Sequence, residues 1–293
     1  MPFFSKRVTM AVMALGLVAA APCATQAQQS RLAQQSSLAG KTITIGIHNR
    51  APWGYRDRNG DVIGYHPDLV RAALAPLGVK AIEFTVADFG ALIPGLLANR
   101  FDIIASGVAI TPARCQQVLF GEPDLSAGDG LLVLKGNPLN LHSYEDIVKN
   151  PKVKLGGGRG TENAKNALAA GVPEDRLLLF PNNEAVVSAM LAGRVDAATL
   201  SAPSVSGLME AGGMNGIERA LPFKGYVRPD GSEYMMATAV VFAPKDKELQ
   251  AIYNAQLAKL KADGTVKALM EKYSFTDAEA PPRATSAELC AKS

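Results

Sequence analysis

Arg114 closes the run Asp102-Ile-Ile-Ala-Ser-Gly-Val-Ala-Ile-Thr-Pro-Ala-Arg114. The run reads as a buried strand carrying Ile103 and Ile104, a small-residue turn at Ser106 and Gly107, and a helix opening at Thr111-Pro112. Threonine is a favoured N-cap, and proline a favoured first helical residue. Free backbone N–H groups, the Thr111 hydroxyl and the Arg114 guanidinium then converge on one small volume. Such a donor set grips a carboxylate by charge-assisted, bidentate hydrogen bonds. Arg114, Thr111 and Gly107 are therefore the first candidates for ligand binding.

Other residues suit the same chemistry. Trp53, the only tryptophan, follows Ala51-Pro52 and precedes Gly54. That is a loop, so its ring stacks on a ligand or packs on a rim. Phe89 begins a helix directly after a strand and serves a ligand or the core. Arg50 meets a second anionic group, or pairs with Asp68 or Asp102. In the second half, Arg159 lies in Gly156-Gly-Gly-Arg-Gly160, directly before a helix at Thr161. A helix N-terminus supplies donors there. Ser201 and Glu233 lie near the expected cleft, with Tyr226 and Tyr234 further candidates.

Several chemistries are disfavoured. The glycine run lacks the Gly-Lys-Ser/Thr of a phosphate-binding loop. His48, His66 and His142 lack the spacing of a metal site, and no serine sits in a nucleophile motif. No catalytic residue, metal or cofactor is expected. The net charge of +3 has no basic tail or stripe behind it, so nucleic acid is not an expected partner.

These residues need elements to position them. Lys6 and Arg7 precede the apolar stretch Met10–Ala21, and Thr25-Gln26-Ala27 is a small-residue cleavage site. Residues 1–27 thus read as a signal peptide, too short in its apolar part for a permanent span. Residues 28–40 are polar and read as a flexible segment. From Lys41 the pattern runs strand, hairpin turn at Asn59-Gly60-Asp61, helix Pro67–Leu77, strand Val79–Val86, helix Phe89–Asn99, then the Asp102 strand. That is an open α/β pattern, whose ligands bind at the carboxyl ends of the strands. Asp129–Lys135 reads as the first crossing into a second lobe. There a helix at Ser143, a Val153-Lys-Leu strand, a glycine-rich turn, the Thr161 helix, strand Leu177–Phe180, helix Asn183–Leu191 and strand Asp196–Leu200 follow. Tyr234–Phe242 reads as the return crossing. Helices Glu248–Leu260 and Val266–Tyr273 pack back on the first lobe. The expected division is lobe 1 over 41–131 plus 240–293 and lobe 2 over 132–239, hinged around the site.

Cys115 and Cys290 survive cleavage. Export places them in an oxidising compartment, where a bridge is favoured over two unpaired thiols.

Residues 41 to 275 resemble the bacterial extracellular solute-binding proteins of family 3, the periplasmic receptors of polar amino-acid ABC importers. The resemblance rests on Gly64-Tyr-His-Pro-Asp-Leu69, Leu92-Ile-Pro-Gly-Leu-Leu-Ala-Asn-Arg-Phe-Asp102, Ile110-Thr-Pro-Ala-Arg114 and Gly193-Arg-Val-Asp-Ala-Ala198, in that order and spacing. It implies the two-lobed type II periplasmic-binding fold: two open α/β lobes joined by two crossing strands. Phe89-Gly-Ala-Leu-Ile-Pro-Gly, Thr111-Pro-Ala-Arg-Cys and Gly136-Asn-Pro-Leu-Asn-Leu-His-Ser-Tyr-Glu-Asp146 look most like the ectoine/hydroxyectoine-binding branch. That likeness implies an aromatic box, matched by Trp53 and Phe89, with an arginine for the ligand carboxylate. Ala109 stands where that branch presents a third aromatic, and Arg50 where it presents an acid. Ser201 stands where amino-acid branches place an aspartate for the α-ammonium. The function implied is delivery of a small carboxylate-bearing solute, amino acid or ectoine-like, to permease subunits in the membrane by a monomeric receptor. Rival readings on the same fold are a cyclohexadienyl-dehydratase-like enzyme, with Glu233 or Glu162 as general acid, and a ligand-sensing subunit.

Overall fold

The computed structural model describes residues 1, 37–212 and 215–291. The expected leader, apart from Met1, and most of the polar segment after it lie outside the described residues. Strand β1 (Thr42–Ile47) opens the first lobe, and its alternating Ile43, Ile45 and Ile47 are buried. The Asn59-Gly60 turn joins a short hairpin, β2 (Tyr55–Arg56) and β3 (Val62–Ile63). Then come α1 (Tyr65–Leu74), β4 (Ala81–Val86), α2 (Leu92–Leu97), β5 (Ile103–Ala109), α3 (Pro112–Cys115), β6 (Leu119–Phe120) and β7 (Leu125–Ala127).

The second lobe continues with β8 (Asp129–Leu134), α4 (Tyr144–Lys149), β9 (Leu155–Gly158), α5 (Glu162–Ala169), β10 (Leu177–Phe180), α6 (Asn183–Leu191), β11 (Ala197–Ser201), α7 (Ala202–Glu210) and β12 (Ile217–Arg219). The chain returns through β13 (Met236–Phe242), then α8 (Lys247–Ala262), α9 (Thr265–Lys272) and α10 (Ser286–Ala291). Helices α8 and α9 pack against α1.

The two sheets share one plan. The first runs β4-β1-β5-β13-β6, with β7 also on β13, and the second runs β10-β9-β11-β8-β12. In each, three parallel strands are followed by an antiparallel one from next to the crossing. Both faces of each sheet are apolar. Ile103 and Ala105 of β5 point into one cluster, Ile104 and Val108 into another. This period-two split is what a strand covered on both sides requires. The second sheet divides in the same way, with Leu131 and Val133 on one side and Leu132 on the other.

Three expectations are corrected. Asp129–Leu134 is not a crossing: it is an interior strand of the second sheet, and the chain passes between lobes at Gly128. Likewise β13 belongs to the first sheet, so the return is made between Arg219 and Met236. Apart from Asp129 and Thr238 both strands are apolar, and a sheet interior buries them better than an exposed connection. The glycine run is not a turn. Gly156–Gly158 belong to β9, and the turn is Arg159-Gly160, where Gly160 has φ +76°. A Cβ at Gly156 would stand 3.2 Å from Val195 Cγ2, and one at Gly157 would stand 3.3 Å from Ala164 Cβ. The missing side chains let neighbouring elements lie close on both faces of the strand.

A disulfide joins Cys115, at the end of α3, to Cys290 in α10. It fastens the C-terminal tail to the helix that carries Arg114.

Candidate functional site

The candidate residues emerge where parallel strands end. Arg50 follows β1, Phe89 follows β4 and Arg114 follows β5. From the opposite sheet, Thr161 and Glu162 follow β9, and Ser201 ends β11. Arg50, Trp53, Phe89, Gly107, Ala109, Arg114, Thr161 and Ser201 line one cavity between the lobes. Ala127, Met236 and Thr238 complete the first lobe's wall, Glu162 and Asn163 the second's. The empty space between the walls is about 300 Å³, the open mouth included.

Arg114 is 7% exposed. Thr111 caps the short α3, and its hydroxyl accepts from the Arg114 N–H at 3.4 Å. Thr111 therefore fixes the arginine's backbone and does not itself line the cavity. Nη1 of Arg114 donates to Ala109 O at 2.7 Å. Nη2 reaches across to Gly160 O of the second lobe at 2.9 Å and stands 3.9 Å from Glu162 Oε2. Two carbonyls thus take two donors of a guanidinium that has more to offer a carboxylate. Burial lowers the Arg114 pKa, while Glu162 and Tyr234 pull it back up.

Trp53 is fully buried, stacked on His66 with centroids 5.6 Å apart and edge-on to Phe275. Its indole N–H points across the cleft, 3.2 Å from Ser201 Oγ and 3.0 Å from Ser204 Oγ. Gly107, at φ +63°, lies beneath this ring, and a Cβ there would stand 2.5 Å from Trp53 Cε3. The turn therefore needs glycine for both conformation and space. The Arg50 guanidinium lies 5.5 Å from the Trp53 ring and 5.2 Å from the Phe89 ring. Arg114 is 5.8 Å from Phe89. The two aromatic faces that could box a ligand's cation thus already carry the chain's own cations. His48, before Arg50, is held down to about 4 by burial first and then by the Arg50 charge.

On the second lobe, Thr161 caps α5 and donates to Gly158 O at 2.8 Å. Asn163 Nδ2 donates to Asp129 Oδ1 at 2.6 Å, and Asn166 donates to both Asp129 oxygens at 3.1 Å. Tyr226 N–H, on the return segment, donates to Asp129 Oδ2 at 3.1 Å. Asp129, the first residue after the Gly128 crossing, is thereby tied to the returning segment. Burial pushes its pKa up to about 6, against these donors.

The lobes meet where side chains are missing. A Cβ on Gly207 of α7 would lie 2.9 Å from the carbonyl carbon and oxygen of Ala51. On the other flank, a Cβ on Gly160 would lie 3.1 Å from Gly90 Cα. Backbone thus rests on backbone at both ends of the cleft.

Arg159 and Glu233 are not among the cavity's lining residues. Arg159 is exposed, its backbone over Gly90 and its N–H on Phe180 O at 2.8 Å. Glu233 is exposed and accepts the Gly225 N–H at 2.9 Å. Tyr226 and Tyr234 form an edge-on pair, centroids 6.2 Å apart, on the return segment. Sequence reasoning missed Asn163, Thr238 and Asp129. Only Asp129 left a signal: an acid opening the otherwise apolar Gly-Leu-Leu-Val-Leu strand.

Two α/β lobes with strand ends facing across a cleft, and charged donors lining it, define a two-lobed binding protein of the type II periplasmic class. Residues 43–277 match the bacterial extracellular solute-binding proteins, family 3, and the chain belongs to that family. It is 37% identical over 252 residues to a probable amino-acid ABC transporter periplasmic-binding protein of Sinorhizobium fredii (strain NBRC 101917 / NGR234), covering 85% of this chain and 82% of that one. It is 30% identical over 236 residues to the lysine/arginine/ornithine-binding periplasmic protein of Escherichia coli (strain K12), covering 80% and 87%. The crystal structure of EhuB in complex with hydroxyectoine superposes with a TM-score of 0.77 at 31% identity, covering 90% of this chain and 99% of that one.

Proposed function

We propose that this protein is the periplasmic receptor of an ABC importer and carries a small carboxylate-bearing solute, an amino acid or a related compound. One relative is a probable amino-acid ABC transporter periplasmic-binding protein and another a lysine/arginine/ornithine-binding periplasmic protein, which supports this setting. The leader at residues 1–27 is cut on export, and the receptor works as a single chain with permease subunits as partners. It binds and releases its ligand unchanged. Release of phenylpyruvate from prephenate would replace this reading with the dehydratase one.

One observation carries the ligand class: a buried guanidinium at the carboxyl end of β5 lines the interlobe cavity and touches both lobes. In the proposed cycle the open receptor meets the solute on the first lobe, where Arg114 takes its carboxylate. The second lobe then swings in, and Gly160 O reaches Arg114 as Ser201 and Ser204 reach Trp53. Hinge closure of this kind excludes water from the site. Thermal-shift screening against amino acids, ectoines, betaines and carboxylates identifies the ligand. Arg114→Ala should weaken it by about 2–5 kcal/mol, the cost of truncating one member of a buried charge pair. Unchanged affinity in calorimetry removes the carboxylate clamp from the account.

A further inference from the structure

Arg50 is a buried cation without an acid. It is 6% exposed and lines the cavity. Nη2 donates to Ser106 O at 3.2 Å, whereas Nε is shut off from solvent with no hydrogen-bond partner. Among the described residues no carboxylate forms an ion pair with it. Its neighbours are the rings of Trp53 and Phe89, His48, and a like charge on Arg114. Burial, then the Arg114 charge, brings the Arg50 pKa down to about 10. A buried, unpaired ion is strongly disfavoured, so a protein retains one where a partner arrives.

The charges around the cavity show what that partner must be. Two guanidiniums face one lining carboxylate, Glu162, which also stands 3.5 Å from Lys165. Position 201, on the opposite wall, is a neutral serine. A solute with no net charge leaves Arg50 unanswered. A solute with one carboxylate for Arg114 and a second anionic group for Arg50 answers both.

We propose that Arg50 reads a second anionic group on the ligand, so that the receptor's solutes are small dicarboxylates, acidic amino acids included. This rests on the reading of Arg114 as the clamp for the first carboxylate. It makes Arg50 a specificity-determining residue.

The test compares matched pairs by calorimetry on the purified protein: succinate with succinamate, L-glutamate with L-glutamine, and L-aspartate with L-asparagine. At least one dicarboxylate should bind, with its amide partner roughly ten- to a hundredfold weaker, as expected for a lost hydrogen bond between charged groups. Arg50→Gln should weaken the dicarboxylate by a similar factor and bring the pair together. Arg50→Lys keeps a charge but loses the planar fork, so it should retain part of the discrimination and guard against misfolding of the glutamine variant. The inference is overturned if an amide binds as tightly as its acid. It is also overturned if Arg50→Gln weakens both members equally, as for a guanidinium that merely packs or shares one carboxylate. Failure of all six probes overturns it too. If L-arginine or hydroxyectoine then binds and Arg114→Ala abolishes that binding, the carboxylate clamp survives without the second subsite. If Arg114→Ala leaves that binding intact, both fall.

Discussion

Gly207→Ala separates lobe closure from ligand chemistry. Gly207 lies inside α7 and outside the cavity lining, so the change touches no ligand contact. Its backbone is helical, and alanine in a helix interior is about 1 kcal/mol better than glycine. The fold should therefore be no less stable without ligand. In the closed arrangement, however, the added Cβ would stand 2.9 Å from both the carbonyl carbon and oxygen of Ala51, and 3.1 Å from Pro52 Cδ. Those atoms are main chain and ring, with no flexible end to swing away. Overpacking of this kind costs about 1–3 kcal/mol, and it falls on the closed form alone. Affinity should drop by roughly five- to a hundredfold, because binding then works against the closing equilibrium. Calorimetry measures the drop. Fluorescence reports closure independently, since Trp53 is the only tryptophan and its N–H meets second-lobe serines. An affinity within twofold of the parent protein would show that the lobes do not come together at Gly207 when ligand binds.

Two further outcomes follow from the structure. The Cys115–Cys290 bridge spans a sequence separation of 175, and a long closed loop is stabilised by about 2–5 kcal/mol; Cys115→Ser should lower the melting temperature accordingly, and an unchanged melt would show that the bridge contributes nothing to stability. His48 is held at about 4 in the fold against 6.5 for a free imidazole, so the unfolded chain takes a proton first as pH falls. Its contribution to stability is complete above pH 6.5 and is lost as pH drops through 4, by about 3 kcal/mol in all. His48→Asn should flatten that part of the curve, read from urea melts at pH 7 and pH 4.5, and equal losses in the two proteins would exclude His48 as the cause.

The first lobe was legible because its strands end in chemistry. The alternation in Lys41–Ile47 fixed β1, and the Thr111-Pro112 pair fixed the start of α3; both depend on neighbours close in sequence. The crossings were not legible. An apolar strand such as β8 has the same pattern whether it bridges lobes or lies inside a sheet, and only pairing with β11 and β12 decides it. The glycines of β9 misled for a similar reason. Glycine signals a turn locally, whereas here it answers elements packed on both faces of a strand. Helix α7 was missed altogether: Ala202-Pro203 opens it with proline in the first turn, yet no strong apolar period follows. Of the residues lining the interlobe cavity, Arg114, Trp53 and Phe89 were legible by type and position. Asn163 did not, because its part depends on Asp129, thirty-four residues away in sequence.

The two arginines differ in what closure does for them. Arg114 belongs to the first lobe, yet the second brings it a carbonyl at 2.9 Å and a carboxylate at 3.9 Å. Its charge is partly answered by the protein itself once the lobes meet. The contacts of Arg50 all lie in the first lobe: Ser106 O, the Trp53 and Phe89 faces, and His48 nearby. Closing adds no acid to it and removes water from around it. If Arg50 takes a second anion as proposed, the cost of burying it beside Arg114 should disfavour closure of the empty cleft, and an anion on Arg50 should lift that cost. On this argument the affinity lost in Arg50→Gln should be accompanied by easier closure of the empty receptor. Small-angle scattering of the ligand-free variant should give a smaller radius of gyration than the parent; an equal or larger radius would show that Arg50 does not hold the empty cleft open.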